Sequence, residues 1–227
     1  MDDAYFSLSQ QQMLTDIAIH VSYVQEHIGK ETLDPRVMHI MGKVPRHEFV
    51  PSEMRLYAYA DTPLPIGYDK TISQPFIVAL MTDLLALRET DIILEIGTGL
   101  GYQAAILAEL AAKIYTMEII EELFEQAQRR LQHLGYSNIE MQLGNGYYGW
   151  PEVAPFDRII VTAAPDLIPP PLIQQLKCGG KLVLPAGLPD SQQLIVVEKA
   201  MDGRISTREV LPVRFSPLEN TEAAILC

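Results

Sequence analysis

The chain has 227 residues, with 17 Lys and Arg against 29 Asp and Glu, a formal net charge of −12, a 48% hydrophobic fraction and two cysteines. That length suits one generous domain, or a domain with an appendage, and the apolar fraction excludes a disordered chain. Cys178 and Cys227 are too few for a disulfide framework, and the acidic balance argues against duplex nucleic acid or an anionic membrane as the main partner, leaving a local basic patch open. The start, Met1-Asp2-Asp3-Ala4-Tyr5, has no secretory signal character. No apolar run approaches the roughly 18–20 residues of a membrane span, so a soluble cytoplasmic protein is expected.

The first 30 residues predict an amphipathic helix, with Met13, Ile17, Val21, Val24 and Ile28 three or four apart, Ser9 and Gln12 as a capping box and Gly29 as the stop. Asp34-Pro35 announces a second helix ending near Gly42. Val44 to Gln74 carries prolines at 45, 51, 63 and 65 and no sustained period, and long stretches of that kind are commonly functional. From Phe76 to Leu87 a helix is expected, and then strands and helices alternate. Strands are read at Ile92–Ile96, Ile114–Met117, Ile139–Gln142, Arg158–Val161 and Lys181–Leu184, and helices at Gln103–Ala112 and Glu121–Leu134. Short apolar runs suit strands buried on both faces, so the pattern predicts an open, doubly wound, mostly parallel α/β sheet. Leu194–Val197 and Val210–Phe215 flank the turn pair Asp202-Gly203, which ends the sheet in antiparallel strands.

The most informative residues are Ile93-Leu94-Glu95-Ile96-Gly97-Thr98-Gly99-Leu100-Gly101, a buried strand running into a glycine-rich turn that opens a helix. Such a turn either admits a nucleotide-type ligand to the backbone or is a tight packing turn. Gly97 and Gly99 fit the dinucleotide fingerprint, but its third position is Tyr102 and the extra glycine falls early, at Gly101. A turn of the form E-x-G-x-G-x-G resembles the first motif of class I S-adenosylmethionine-dependent methyltransferases, which implies that Glu95 sits beneath the turn and that Gly97, Thr98, Gly99 and Gly101 meet the cofactor. Glu118 ends the next strand, where a carboxylate could accept from both ribose hydroxyls. Asn145-Gly146 follows the third strand and is either an adenine contact or an ordinary turn.

The irregular segment then becomes readable. Val44-Pro45-Arg46-His47-Glu48-Phe49-Val50-Pro51, Ala58 to Gly67 with Asp61, and Thr71-Ile72-Ser73-Gln74-Pro75 occur in order with the glycine turn. Gly149-Trp150-Pro151-Glu152, Ala154 to Ala164 and Gln175 to Val183 complete the series. From about Asp34 to about Leu218 this closely resembles the protein-L-isoaspartate O-methyltransferase family. The resemblance implies methyl transfer from S-adenosylmethionine to the free α-carboxylate of L-isoaspartyl residues in damaged peptides and proteins, with repair through a succinimide. It also implies Ser73 as the catalytic residue, with Asp61 and Thr71 lining the same site. Asp69-Lys70 stands where relatives usually have Gly-Gln, and Lys70 either attracts a substrate carboxylate or faces solvent, the second being preferred. Asn145 replaces the usual aspartate but keeps an acceptor.

The expected organisation is one compact domain, residues 1–75 forming a helical and irregular cap over a 76–227 cofactor-binding core, acting as a monomer. The five histidines lack metal-ligand spacing, so no metal is expected. His47 reads as a structural donor, Trp150 as loop packing, Tyr147 and Tyr148 as ambiguous cleft walls, and the Glu125 to Arg129 helix face as solvated. Rival readings are a methyltransferase directed to a dedicated peptide aspartate, a small molecule or a nucleic acid, or a catalytically silent cofactor-binding protein.

Overall fold

The five-residue apolar run Ile92–Ile96 forms strand β3, the central strand of a seven-stranded sheet. In the computed structural model, which describes residues 3–220, Ile93 joins a cluster containing Leu80, Ile106 and Leu131 while Leu94 and Ile96 join a second with Met117 and Leu172. Both faces of β3 are therefore buried, which is why no polar alternation shows in its sequence. Cys178 is an exposed free thiol, and Cys227 lies outside the described residues.

Helix α1 spans Asp3–Ile28 and buries Met13, Ile17 and Val21 along one stripe. Because it is already helical at Asp3, Ser9 and Gln12 lie inside it and are no capping box. Helix α2, Pro35–Met41, starts as the sequence predicts: the Asp34 carboxylate accepts from the Arg36 backbone N–H and proline fills the first turn. Beyond it the expected irregular stretch contains 3-10 turns at Arg46–Phe49 and Ser52–Tyr57 and a small antiparallel hairpin, β1 (Leu64–Gly67) with β2 (Lys70–Ile72). Its turn residues, Tyr68 and Asp69, both sit at φ 54. A tyrosine rarely adopts that left-handed conformation, so no turn signal announces the hairpin.

Helix α3 (Pro75–Leu84) and helix α4 (Tyr102–Ala108) are shorter than their apolar patterns, which continue into the following turns. Then come β4 (Lys113–Glu118), α5 (Glu121–His133), β5 (Ile139–Leu143) and β6 (Phe156–Val161). A short helix missing from the pattern, α6 (Pro170–Gln175), leads into β7 (Leu176–Ala186), β8 (Gln192–Lys199) and β9 (Ile205–Val213). Strand order is β5-β4-β3-β6-β7-β8-β9. The first five are parallel, and β8 and β9 add antiparallel, as the Asp202-Gly203 turn predicts. Strand order reverses between β4 and β6 about β3, so a crevice opens at the carboxyl end of β3.

Candidate active site

A cavity of about 550 Å³ occupies that crevice. Its sheet wall is made of strand ends: Ile96, the last residue of β3, with Gly97 after it, Met117 and Glu118 of β4, and Gly146 beyond β5. Backbone bonds fix the turn, with Gly97 N donating to Met117 O at 2.8 Å and Thr98 N to the same oxygen at 3.1 Å. At Gly97, φ is +94 and a Cβ would lie 2.5 Å from Thr162 Oγ1, whose hydroxyl donates to Gly97 O at 2.7 Å. Only glycine fits there. At Gly146 a Cβ would come within 2.2 Å of Ile96 Cγ2, so that glycine is needed for close packing within the cavity wall.

Glu118 is the charged feature of this wall. Its Oε2 accepts from Gly99 N at 2.7 Å, and its Oε1 accepts from Ile119 N at 2.9 Å and Ile120 N at 3.1 Å. Two carboxylate oxygens offer about four lone pairs, so acceptor capacity remains for a ligand. Burial nonetheless raises its pKa, against the pull of those backbone donors. Glu95 lies deeper, fully buried beneath the turn and outside the cavity lining. Thr116 Oγ1 donates to its Oε2 at 2.5 Å, and Thr98 Oγ1 sits 2.6 Å from Thr116 Oγ1. Burial pushes the Glu95 carboxyl up to about 8.

The opposite wall comes from the hairpin segment and from residues Pro212 to Glu219, the end of β9 and the chain that follows it. Thr71 and Ser73 line it, and the Ser73 hydroxyl has no hydrogen-bond partner among the described residues. Asp61 does not reach the cavity. It stands behind the loop, accepting from Phe76 N at 2.8 Å and Gln74 Nε2 at 3.1 Å and contacting His20 Nδ1 of α1. It thereby anchors the residues that follow Ser73 to the start of α3. Arg46, missed by sequence reasoning, does the same from another side. Completely buried, it donates from Nε to Ala58 O at 2.8 Å and from Nη2 to Ser73 O at 2.7 Å, with its guanidinium 4.8 Å from the Tyr102 ring centroid. An arginine in a proline-rich irregular stretch carries no periodic signal of burial.

Of the residues singled out in the sequence, the cavity thus brings together Ser73, Thr71, Gly97, Gly99, Glu118 and Gly146. Glu95, Thr98, Gly101, Asn145 and Asp61 stand outside its lining. Gly101 packs on Leu131 of α5, where a Cβ would meet Cγ at 3.1 Å. Asn145 Oδ1 accepts from Tyr147 N at 3.0 Å and its Nδ2 donates to Asn220 Oδ1 at 3.1 Å. Lys70 faces the cavity rather than open solvent, donating to Glu219 Oε1 at 2.6 Å. His47, with Nδ1 2.7 Å from Tyr59 Oη and its ring stacked on Phe6, is structural as expected. Trp150 packs edge-on to Tyr115, and Glu125–Arg129 forms a surface pair.

A glycine turn at the switch point of a mostly parallel sheet, with a buried carboxylate at the end of the next strand, defines a class I S-adenosylmethionine-dependent methyltransferase. The profile of the family Protein-L-isoaspartate(D-aspartate) O-methyltransferase (PCMT) matches residues 21–223, and the chain belongs to that family. It is 64% identical over 222 residues to Protein-L-isoaspartate O-methyltransferase 1 of Polaromonas sp. strain JS666, covering 98% of this chain and 94% of the relative. Protein-L-isoaspartate O-methyltransferase 2 of Nitrosococcus oceani is 58% identical over 210 residues, 92% of this chain and 96% of that one. Among solved structures, a protein-L-isoaspartate O-methyltransferase superposes with a TM-score of 0.81 at 27% identity, over 93% of this chain and 66% of that chain. A second, from Plasmodium falciparum in complex with S-adenosyl-L-homocysteine, gives 0.76 at 22% identity over 91% and 98% of the two chains, a likeness of fold. The family uses S-adenosylmethionine.

Proposed function

We propose that this chain transfers a methyl group from S-adenosylmethionine to the free α-carboxylate of L-isoaspartyl residues in peptides and damaged proteins. The observation that carries this reading is the cavity's two unlike walls: an unpartnered Ser73 hydroxyl on one, the Gly97 to Gly99 turn and Glu118 on the other. The cofactor fits the sheet wall because Glu118 keeps spare acceptor capacity for a ribose hydroxyl while Gly97 and Gly99 present bare backbone. Bound there, it supplies a methyl group made electrophilic by its sulfonium.

The acceptor carboxylate is already ionised at neutral pH, so the reaction asks for no strong base. What the chain supplies is alignment and a dry site, effects worth up to about 7–11 kcal/mol in favourable cases. Ser73 acts as a single neutral donor that orients the carboxylate; a stronger donor would withdraw electron density from the attacking oxygen. Thr71 borders the same wall, Arg46 and Asp61 hold the loop in place, and Ile66, Ile77 and Phe215 provide apolar lining that excludes water. The resulting ester closes to a succinimide when the following backbone nitrogen attacks it and expels methanol, and hydrolysis returns some aspartate.

In this reading the protein is one domain, residues 1–75 capping a 76–227 core, working as a cytoplasmic monomer on peptides rather than nucleic acid. The charge of −12 supports that choice of partner. No helix among the described residues is long and apolar enough to cross a membrane. The deciding experiment incubates the protein with methyl-labelled S-adenosylmethionine and matched peptides carrying aspartate or isoaspartate. Base-labile label on the isoaspartyl peptide alone is the expected result. Equal labelling of both, or cofactor binding with no labelling, overturns the reading.

A further inference from the structure

Lys70 and Glu219 lie 149 positions apart in the chain and meet at the cavity, with Lys70 Nζ donating to Glu219 Oε1 at 2.6 Å. The two ends are not equally open. The lysine side chain is 21% exposed and the glutamate 41%, so the lysine is the more withdrawn from water. Each rests on fixed backbone. Lys70 opens β2 and pairs with Gly67 across the hairpin. Glu219 follows a strap tied to the loop after β6, Ala164 N donating to Ser216 O and Leu218 N to Ala164 O, both at 2.8 Å.

We propose that Lys70 is a specificity-determining residue that reads a second carboxylate close to the isoaspartate, and that Glu219 occupies that position until substrate displaces it. This rests on the isoaspartyl methyltransferase reading. The acceptor carboxylate itself is a poor occupant, because an ammonium bonded to it would dull the oxygen that must attack. Spacing favours a neighbouring residue instead: Lys70 opens β2, which ends at Ile72, and lies three positions before Ser73, at most about 10 Å at about 3.3 Å per residue. An extended peptide with its isoaspartate at Ser73 brings a side chain up to about three positions away to Lys70. Exchange of Glu219 for a peptide carboxylate trades a partly exposed ion pair for one that the bound peptide shields from water. A neutral neighbour has nothing to trade and leaves the internal pair closed.

The test compares kcat/KM for isoaspartyl peptides that differ only in carrying Glu, Gln or Lys within about three positions of the isoaspartate on either side. For a partly exposed pair the wild type should favour Glu over Gln about two- to fivefold. Glu219→Gln removes the internal competitor and enlarges that ratio, Lys70→Gln brings it to about one, and Lys70→Glu reverses the preference toward the Lys peptide. Arg214→Gln, which removes the other cation of the cavity lining among the described residues, leaves the ratio unchanged. An equal Glu/Gln ratio in wild type, Lys70→Gln and Lys70→Glu overturns the proposal. So does a ratio lost in Arg214→Gln and kept in Lys70→Gln. Absence of label on every isoaspartyl peptide is a different failure, one of the functional reading, and this inference falls with it.

Discussion

The two walls of the cavity are built by different means. The sheet wall consists of strand ends and a turn fixed by backbone hydrogen bonds, from Gly97 and Thr98 to Met117 and from Gly144 N to Glu118 O. The acceptor wall has little regular structure and is held by side chains reaching in from elsewhere: Arg46 to the carbonyl of Ser73, Asp61 to Gln74 and Phe76, Lys70 to Glu219. A wall of backbone bonds tolerates most side-chain changes. A wall hung on a few buried polar groups does not, so single substitutions on that side should separate turnover from cofactor binding.

Arg46→Met should have the largest effect. It leaves Ala58 O and Ser73 O, both served by this buried guanidinium, without their donor. At about 1–3 kcal/mol for each unsatisfied buried group, offset in part by removing a charge whose Nη1 has no hydrogen-bond partner among the described residues, the loss should be about 2–4 kcal/mol in urea unfolding. Turnover should fall about tenfold or more through misplacement of Ser73, with affinity for S-adenosylhomocysteine held within about twofold. Arg46→Lys should recover only part of this, since an ammonium lacks the planar fork that spans two carbonyls. Equal losses in turnover and cofactor affinity would erase the distinction between the walls.

Glu118→Ala probes the other side. Hydrogen bonds to charged groups are worth about 1.5–3 kcal/mol, so calorimetry should show S-adenosylhomocysteine binding weakened about ten- to a hundredfold. Ser73→Ala should leave that affinity unchanged while lowering kcat. Asp61→Asn is milder, because the amide oxygen can still accept from Phe76 N but brings no charge to the α3 N-terminus. A stability loss of about 1 kcal/mol is expected, with kcat reduced severalfold and cofactor affinity intact. Cofactor affinity that falls with Asp61→Asn would mean the walls are mechanically coupled.

The contrast also explains what was legible in the sequence. Ile92–Ile96 announces itself by burial on both faces, and Asp34-Pro35 by the chemistry of a helix start. Gly97 reads as a backbone requirement, and the structure supplies the reason in Thr162. Such signals are local. Arg46, the Tyr68-Asp69 hairpin turn and the Lys70–Glu219 pair depend on contacts between distant segments or on a conformation their residue types disfavour. Asn145 shows the ambiguity of a short motif: the same side chain can serve a ligand or cap its own turn, and here its Oδ1 accepts from Tyr147 N.

Glu95→Gln should disturb turnover least and tests how the sheet wall carries its own buried charge. Arg46 stays protonated at any pH the fold meets, although burial lowers its pKa, and so needs carbonyl partners. Glu95 can instead keep its proton, since burial raises its pKa from an ordinary 4.5 to about 8 and its Oε1 has no hydrogen-bond partner among the described residues. Between those two values the folded chain holds a proton that the unfolded chain has released, so stability present below about pH 4.5 is lost progressively as pH rises toward about 8. Glutamine is neutral throughout and preserves an oxygen for the Thr116 hydroxyl. The variant should match wild type in unfolding free energy near pH 5, exceed it near pH 8.5, and flatten the slope between by up to about one proton. Parallel pH profiles for the two proteins would show that Glu95 is ionised beneath the turn and that the sheet wall, too, depends on a paired buried charge.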